Sequence, residues 1–303
     1  MRTEILICHY EPKTNSILVI SFMGYQTEYL SGLDVTKELT ITLTPSLNSL
    51  KEVVVKRKDQ FTRKQKLQIF REYFLGQTHN SKLAKIQNED DIYFKYDKVN
   101  FVLKAFSDKP LLISNPSLGY KIDYGLTNFE TTFSKLSVTK EDLVKSYYSG
   151  LSRFEEIDNS NEILALRKKA YEGSQVHFFL NLANNIWDKE QFLIIHNRNV
   201  LNPNNCFKIE REKDFVKVEV LTKKYKKENI NEVASYDLIF NKNEHSGIIF
   251  ETDIFYVYPD GNNSKIENIV FSGKLSEEKV GDMLPLNYVY VPENEIYNTG
   301  ILK

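Results

Sequence analysis

Along most of this chain the apolar positions come two residues apart, or in short close-set runs. In "ELTITLT" (38–44), Leu39, Ile41 and Leu43 fall on one side and Thr40, Thr42 and Thr44 on the other. A period of two predicts a half-buried strand with a solvated face. The runs "TEILICHY", "ILVISFM" and "KEVVVK" (51–56) read as further short strands around it. A β-sandwich layer is the arrangement that buries such strands together.

The period then changes. Thr62 and Gln65 form a T-x-x-Q capping box, Leu67, Phe70 and Phe74 follow at spacings of three and four, and Gly76 suits the residue after a helix end. This predicts a helix near 62–75 that opens a second domain, with the boundary near 57–61. Beyond residue 91 the strands return in "DIYFKYD", "NFVLKAF", "LLIS" and "GYKIDYGL". "TKEDLVKSYYSG" fits either a helix or a strand. A helical pair is predicted near 161–185. Ile163, Leu166 and Ala170 form one stripe, Gly173-Ser174 makes a sharp corner, and Val176, Phe179, Leu180 and Ala183 form a second stripe. From "FLIIHN" to "NYVYV" the pattern is again that of strands, with a hairpin turn at "YPDGNN". The fold class predicted is mainly β (α+β): a small β-sandwich over 1–57 and a larger antiparallel β-rich domain over 58–303.

Composition agrees with that picture. The chain has 303 residues, 41% hydrophobic and 27% charged, which supplies a packed core. Its 18 tyrosines and 19 phenylalanines favour sheet. The formal net charge of -1 gives no field that would gather nucleic acid. The one dense basic run, "KKYKK" (223–227), is followed by Glu228 and reads as a solvated turn. Two cysteines, Cys8 and Cys206, cannot build a disulfide framework. No apolar window reaches the roughly 18 residues of a membrane-spanning helix. The segment "MRTEILICHYEPK" has neither an apolar signal core nor a cleavage site.

Chemistry-bearing motifs are scarce. None of the five histidines stands at His-x-x-x-His or His-x-His spacing, so no metal site is predicted. "DGNNSKIEN" fails as a calcium loop, with Lys265 where Gly is needed and Phe271 where the bidentate Glu belongs. The acidic groups Glu89-Asp90-Asp91 and Glu155-Glu156 are neighbours on one segment, whereas acid/base catalysis needs carboxylates facing across a cleft. No phosphate loop, dinucleotide fingerprint or nucleophile elbow occurs, and no catalytic residue or cofactor is predicted. Five side chains remain as binding candidates. Arg167 and His177 flank the helical corner. Trp187, Tyr256 and Tyr258 are aromatic faces suited to a sugar. For His177 the reading favoured over a ligand role is a core-edge histidine bonded to backbone, and for Trp187 a buried anchor at a helix end.

The stretches "LVISFMGYQTEYL" (18–30) and "LTITLTPSLNSLKEVVV" (39–55) resemble the carboxypeptidase-like regulatory domain of Bacteroidota. They share its apolar strand, Gly-Tyr corner, polar strand, alternating strand and Leu-x-Glu-Val-Val-Val exit. "IFREYFLGQTHNSKLAKIQN", "SDKPLLISNPSLGYKIDYGLTNFE", "YYSGLSRFEEI", "RKKAYEGSQVHFFLNL" and "FSGKLSEEKVGDMLPLNY" are similar to successive blocks of uncharacterised proteins carrying that domain. The resemblance implies a transthyretin-like sandwich, export to the periplasm or outer membrane, and no catalytic residues. It also implies earlier strands and a signal peptide that do not appear ahead of residue 18. The expectation is a partial sandwich over 1–57 with an exposed edge. The function expected is a non-catalytic envelope binding or assembly protein, its partner an outer-membrane or periplasmic protein or a polysaccharide. Alternatives are a hydrolase with a site near the 161–185 corner and a purely structural envelope protein.

Overall fold

The structure, a computed structural model, describes residues 18–20, 28–30, 41–43, 60–221, 232–286 and 288. The chain divides into two compact units, Met1–Gln60 with Ser107–Lys109, and Phe61–Phe106 with Pro110–Lys303. The described part is mostly β with few helices, in several antiparallel sheets.

In the first unit, β1 (Leu18–Ile20) pairs antiparallel with β2 (Glu28–Leu30), Val19 opposite Tyr29. The Gly24-Tyr25 corner and the strand at 51–56 lie outside the described residues, and so does the question of a partial sandwich. The pattern predicts a strand through Ile41–Leu43. Burial there does alternate, with Thr42 exposed between half-buried Ile41 and Leu43, but the segment carries no strand pairing. Alternation encodes a one-sided environment; a ladder needs a partner that the alternation does not name.

The second unit has two hydrophobic cores. α1 (Arg63–Phe74) begins as its capping box requires: the Thr62 hydroxyl accepts from the Gln65 N–H, and the Gln65 side chain accepts from the Thr62 N–H at 2.9 Å. Its buried face, Ile69, Phe70, Tyr73 and Phe74, lies on the first core. α2 (His79–Leu83) is a short helix that the apolar pattern does not mark. The sheet beneath comprises β3 (Lys85–Ile86), β4 (Ile92–Asp97), β5 (Val102–Ser107), β6 (Leu111–Asn115), β7 (Tyr120–Phe133) and β8 (Leu143–Glu156).

β7 organises this sheet. Along one side it pairs with β6 in its first half and β5 in its second; along the other it pairs with β8 over its whole length. A bulge at Thr127 inserts one extra residue between Leu126 and Asn128. The buried positions therefore switch from Tyr120, Ile122 and Tyr124 to Phe129, Thr131 and Phe133. "TKEDLVKSYYSG", which fits either state by pattern, resolves into a 3-10 turn at Lys140–Asp142 and the first half of β8.

α3 (Asn161–Tyr171) packs on the first core and α4 (Gln175–Asn184) on the second. Gly173, with φ of +78°, turns the corner, and the Ser174 hydroxyl caps α4 by accepting from the His177 N–H. The buried face of α4 is rotated from the stripe expected. Phe178, Phe179, Leu182 and Ala183 are buried, whereas Val176 and Leu180 are half-buried and back onto the Gly261 turn.

The second core lies between two sheets. One runs β10 (Asn199–Val200), β9 (Phe192–His196), β13 (Ala234–Phe240), β14 (Glu244–Phe250), β16 (Ile269–Gly273); the other runs β11 (Phe207–Arg211), β12 (Val216–Val220), β15 (Ile254–Val257). Phe250 of the first sheet meets Phe207 and Phe255 of the second at ring separations of 5.5 and 5.7 Å. The Asp260-Gly261 turn forms as expected and closes a short hairpin: the Tyr258 N–H donates to the Asn262 carbonyl, the Ser264 N–H donates to the Tyr256 carbonyl, and Val257 bridges to Asn263. The chain then crosses to pair β16 with β14. After β16 the chain returns to the first core. There the Gly281 N–H donates to the Leu75 carbonyl, and Asp282 accepts from Thr78, Asn80 and Ser81.

Candidate functional site

Arg167 is 2% exposed. Its Nε donates to the Leu118 carbonyl at 2.8 Å, and its Nη2 to the Asp158 carbonyl at 2.6 Å. Nη1 pairs with Glu156, and the guanidinium lies 4.0 Å from the centre of the Tyr120 ring. The planar fork thus ties the end of β8 and the turn before β7 to α3. Its donors are committed to protein carbonyls and a carboxylate.

His177 is 5% exposed, on the other side of the corner. Its Nδ1 accepts from the Gly173 N–H at 3.1 Å. Rings of Tyr171, Phe192 and Phe240 surround it at 4.9, 5.4 and 5.4 Å. Burial pushes its pKa down to about 4, opposed by a hydrogen bond with Gln191. The ring is neutral near pH 7 and holds the corner by accepting a backbone proton. Arg167 and His177 thus serve different cores.

The three aromatic candidates do not share a surface. Trp187 stacks on Phe207 at 6.4 Å, packed against the second core with Phe178. Its Nε1 is buried with no hydrogen-bond partner. Tyr256 lies on the opposite, outward face of the three-stranded sheet, 36% exposed and edge-on to Phe215 at 4.9 Å. Tyr258 follows at the strand's end, 38% exposed. A flanking charged ladder on β11 and β12 gathers Lys208, Glu210 and Lys217; the two lysines hold the Glu210 carboxyl down at about 2.

A cavity of about 520 Å³ is lined by residues that include Asn185, Asn204, Phe207, Lys208 and Arg211. Among the described residues its walls carry no carboxylate or histidine, and so no acid/base pair. Among the described residues, no three His, Cys, Asp or Glu side chains converge as a metal site requires. No helix there is long and apolar enough to cross a membrane.

The feature that sequence reasoning missed is the edge of β8. This strand runs from Leu143 to Glu156 and, among the described residues, pairs with β7 alone. Among the described residues no strand pairs with the backbone donors and acceptors on its other side. Natural edges are shortened or guarded by charge and proline. Here the stretch Ser146–Ser152 contains neither. The other edge strands are brief, six residues in β4 and five each in β11 and β16. β8 is also held firmly from within. Tyr148 packs on Phe74 and Tyr124, with the Lys279 ammonium 5.8 Å from its ring. The phenol of Tyr148 is pushed above its ordinary range by burial, and the Lys279 ammonium is pushed down by the same cause. At Gly150 an added Cβ would lie 2.3 Å from the Gly125 carbonyl oxygen and 2.4 Å from the Tyr124 ring, so the residue is small by necessity. The cue is present in the low charge of "SYYSGLS", but nothing in that stretch says that only one side of the strand finds a neighbour.

Comparison with protein-family models, curated proteins and solved structures finds no match to this chain.

Proposed function

We propose that this chain is a non-catalytic binding or assembly protein of the cell envelope, and that it engages a protein partner by strand addition along β8. The observation that carries the reading is the long edge of that strand, paired with β7 alone among the described residues and uncharged over its central stretch Ser146–Ser152. An added strand gains main-chain hydrogen bonds along the edge, while side chains at alternate positions supply selectivity. The envelope setting is supported by the likeness of residues 18–55 to the regulatory domain. Arg167 and His177 favour binding over hydrolysis, because both are buried and committed to backbone. A protein partner is favoured over a polysaccharide, because Trp187 and Tyr256 face opposite sides of a sheet.

The test is affinity capture from envelope extract on the immobilised protein, followed by amide hydrogen exchange of the captured complex. The expected result is a protein partner whose capture slows exchange within 143–156. Turnover on a hydrolase substrate panel, with no partner captured, refutes the reading.

A further inference from the structure

The β8 edge carries a pattern that favours one occupant. Cross-strand pairing places Lys121 opposite Glu155 and Asp123 opposite Arg153, at 3.8 and 3.4 Å between charged atoms. The outward face of β8 therefore reads Lys145, Tyr147, Ser149, Leu151, Arg153, Glu155. The inner face reads Ser146, Tyr148, Gly150, Ser152, Phe154. Inverted about Gly150, these faces complement themselves. Lys145 meets Glu155, Tyr147 meets Arg153, Ser149 meets Leu151, Tyr148 meets Ser152, and Ser146 meets Phe154. Lys145 and Glu155 are opposite charges, Tyr147 offers its ring to a guanidinium, and in the other three pairs a large side chain opposes a small one, each of which is favourable. The Tyr147 hydroxyl is engaged with Glu267 at 3.2 Å, which leaves its ring for the guanidinium.

We infer that β8 pairs antiparallel with β8 of a second copy, on a two-fold axis through Gly150. This rests on the proposed strand-addition function and names its partner. A two-fold interface requires self-complementarity, and register decides whether the strand has it. Moving the centre to Ser149 places Lys145 against Arg153. Moving it to Leu151 places Glu155 against Tyr147 and leaves Lys145 without Glu155. Only the Gly150 register extends the charge rows already present. Lys121 and Glu155 of one copy continue to Lys145 of the other. Asp123 and Arg153 continue to Tyr147, and beyond it to Glu130 and Lys104, themselves an ion pair at 2.5 Å. Lys145, Arg153 and Glu155 are exposed, so no buried charge has to be uncovered for pairing. Gly150 places no side chain at the axis, where two strands meet their own images.

Sedimentation equilibrium of the full chain tests this with Lys145→Glu, Glu155→Lys, the double variant, and an equimolar mixture of the two singles. Each single reversal turns both Lys–Glu pairs into like-charge pairs and should raise the dimer dissociation constant about tenfold or more. The double variant restores both pairs between copies and should dimerise more tightly than either single, while losing the Lys121–Glu155 contact within each copy. The mixture is the sharper arm. One chain then carries carboxylates at both positions and the other carries ammonium groups at both, so heterodimers should form where each variant alone is monomeric. A wild type that stays monomeric overturns the inference, as does a dimer indifferent to both reversals. If that monomer still captures an envelope protein with slowed exchange in 143–156, the inference fails and the proposed function stands. If the wild type is monomeric and exchange in 143–156 is unchanged on every capture, both fail.

Discussion

Arg167→Ala should be among the most damaging single substitutions in the molecule, and its cost can be worked from the contacts. The side chain is 2% exposed and satisfies the carbonyls of Leu118 and Asp158. Removing it leaves the buried Leu118 carbonyl without this donor, at about 1–3 kcal/mol, whereas the carbonyl of exposed Asp158 can turn to water at little cost. It also removes a desolvated cation over Tyr120 at 4.0 Å, worth up to about 2 kcal/mol. With the packing lost from its buried stem, these terms come to about 3 kcal/mol, which is the value expected; no charge is left buried, because Glu156 is half exposed. The reverse truncation should cost far less. Glu156 is 48% exposed in its side chain, so Glu156→Gln leaves a hydrated end and an arginine still bonded to carbonyls. Solvent screening holds that loss below about 1 kcal/mol. Arg167→Lys should fall between, because one ammonium cannot reproduce the fork. Urea unfolding followed by circular dichroism reads all three as shifts in midpoint at constant slope. The reasoning is refuted if Arg167→Ala costs less than about 1 kcal/mol, or if Glu156→Gln costs as much as Arg167→Ala.

Further predictions concern the rest of the second unit. The pKa of His177 falls from 6.5 unfolded to about 4 folded, so between those values the unfolded chain binds more protons. The contribution is present above about pH 6.5 and is lost as pH falls through about 4; it amounts to roughly 3 kcal/mol. His177→Asn, which keeps an acceptor for the Gly173 N–H, should flatten the stability slope in that window relative to the wild type, and an unchanged slope would contradict it. Thr62→Ala removes the hydroxyl that caps α1 and should cost about 1 kcal/mol in urea melts, with no loss pointing to a cap that contributes nothing. Trp187→Phe should cost no more than about 1 kcal/mol, because the lost ring area is offset by removing a buried N–H without a partner. A cost of several kcal/mol would mean that this N–H is satisfied in solution.

What is legible in the sequence is local. The box at Thr62 and Gln65, the corner at Gly173-Ser174 and the Asp260-Gly261 turn each depend on neighbours within a few residues, and each forms. What is not legible depends on distant segments. Whether "LVKSYYSG" is a helix or a strand is decided by the β7 ladder, which its own residues do not encode. The face of α4 differs from the expected stripe because Val176 and Leu180 are as apolar as Leu182. Only the position of the Gly261 turn assigns them to the outside of the core. Ile41–Leu43 keeps its alternation without a strand partner, for the same reason. The backbone-bonded state expected for His177 is found, because its partner Gly173 lies four residues away, whereas the carbonyls that hold Arg167 come from Leu118 and Asp158 and are not marked in its own segment. The β8 edge is hidden because a strand reads the same in sequence whether one side or both sides are paired.

The central claim, that the β8 edge is the interacting surface, is tested most directly by residue-resolved amide hydrogen exchange, dilute and at high protein concentration. In the dilute protein, β8 amides bonded to β7 should be protected and the alternating outward ones open. At high concentration the outward amides between Lys145 and Glu155 should become protected, while those of β11 and β16 stay unchanged. If the protein associates and β8 stays open while another edge closes, the account is contradicted.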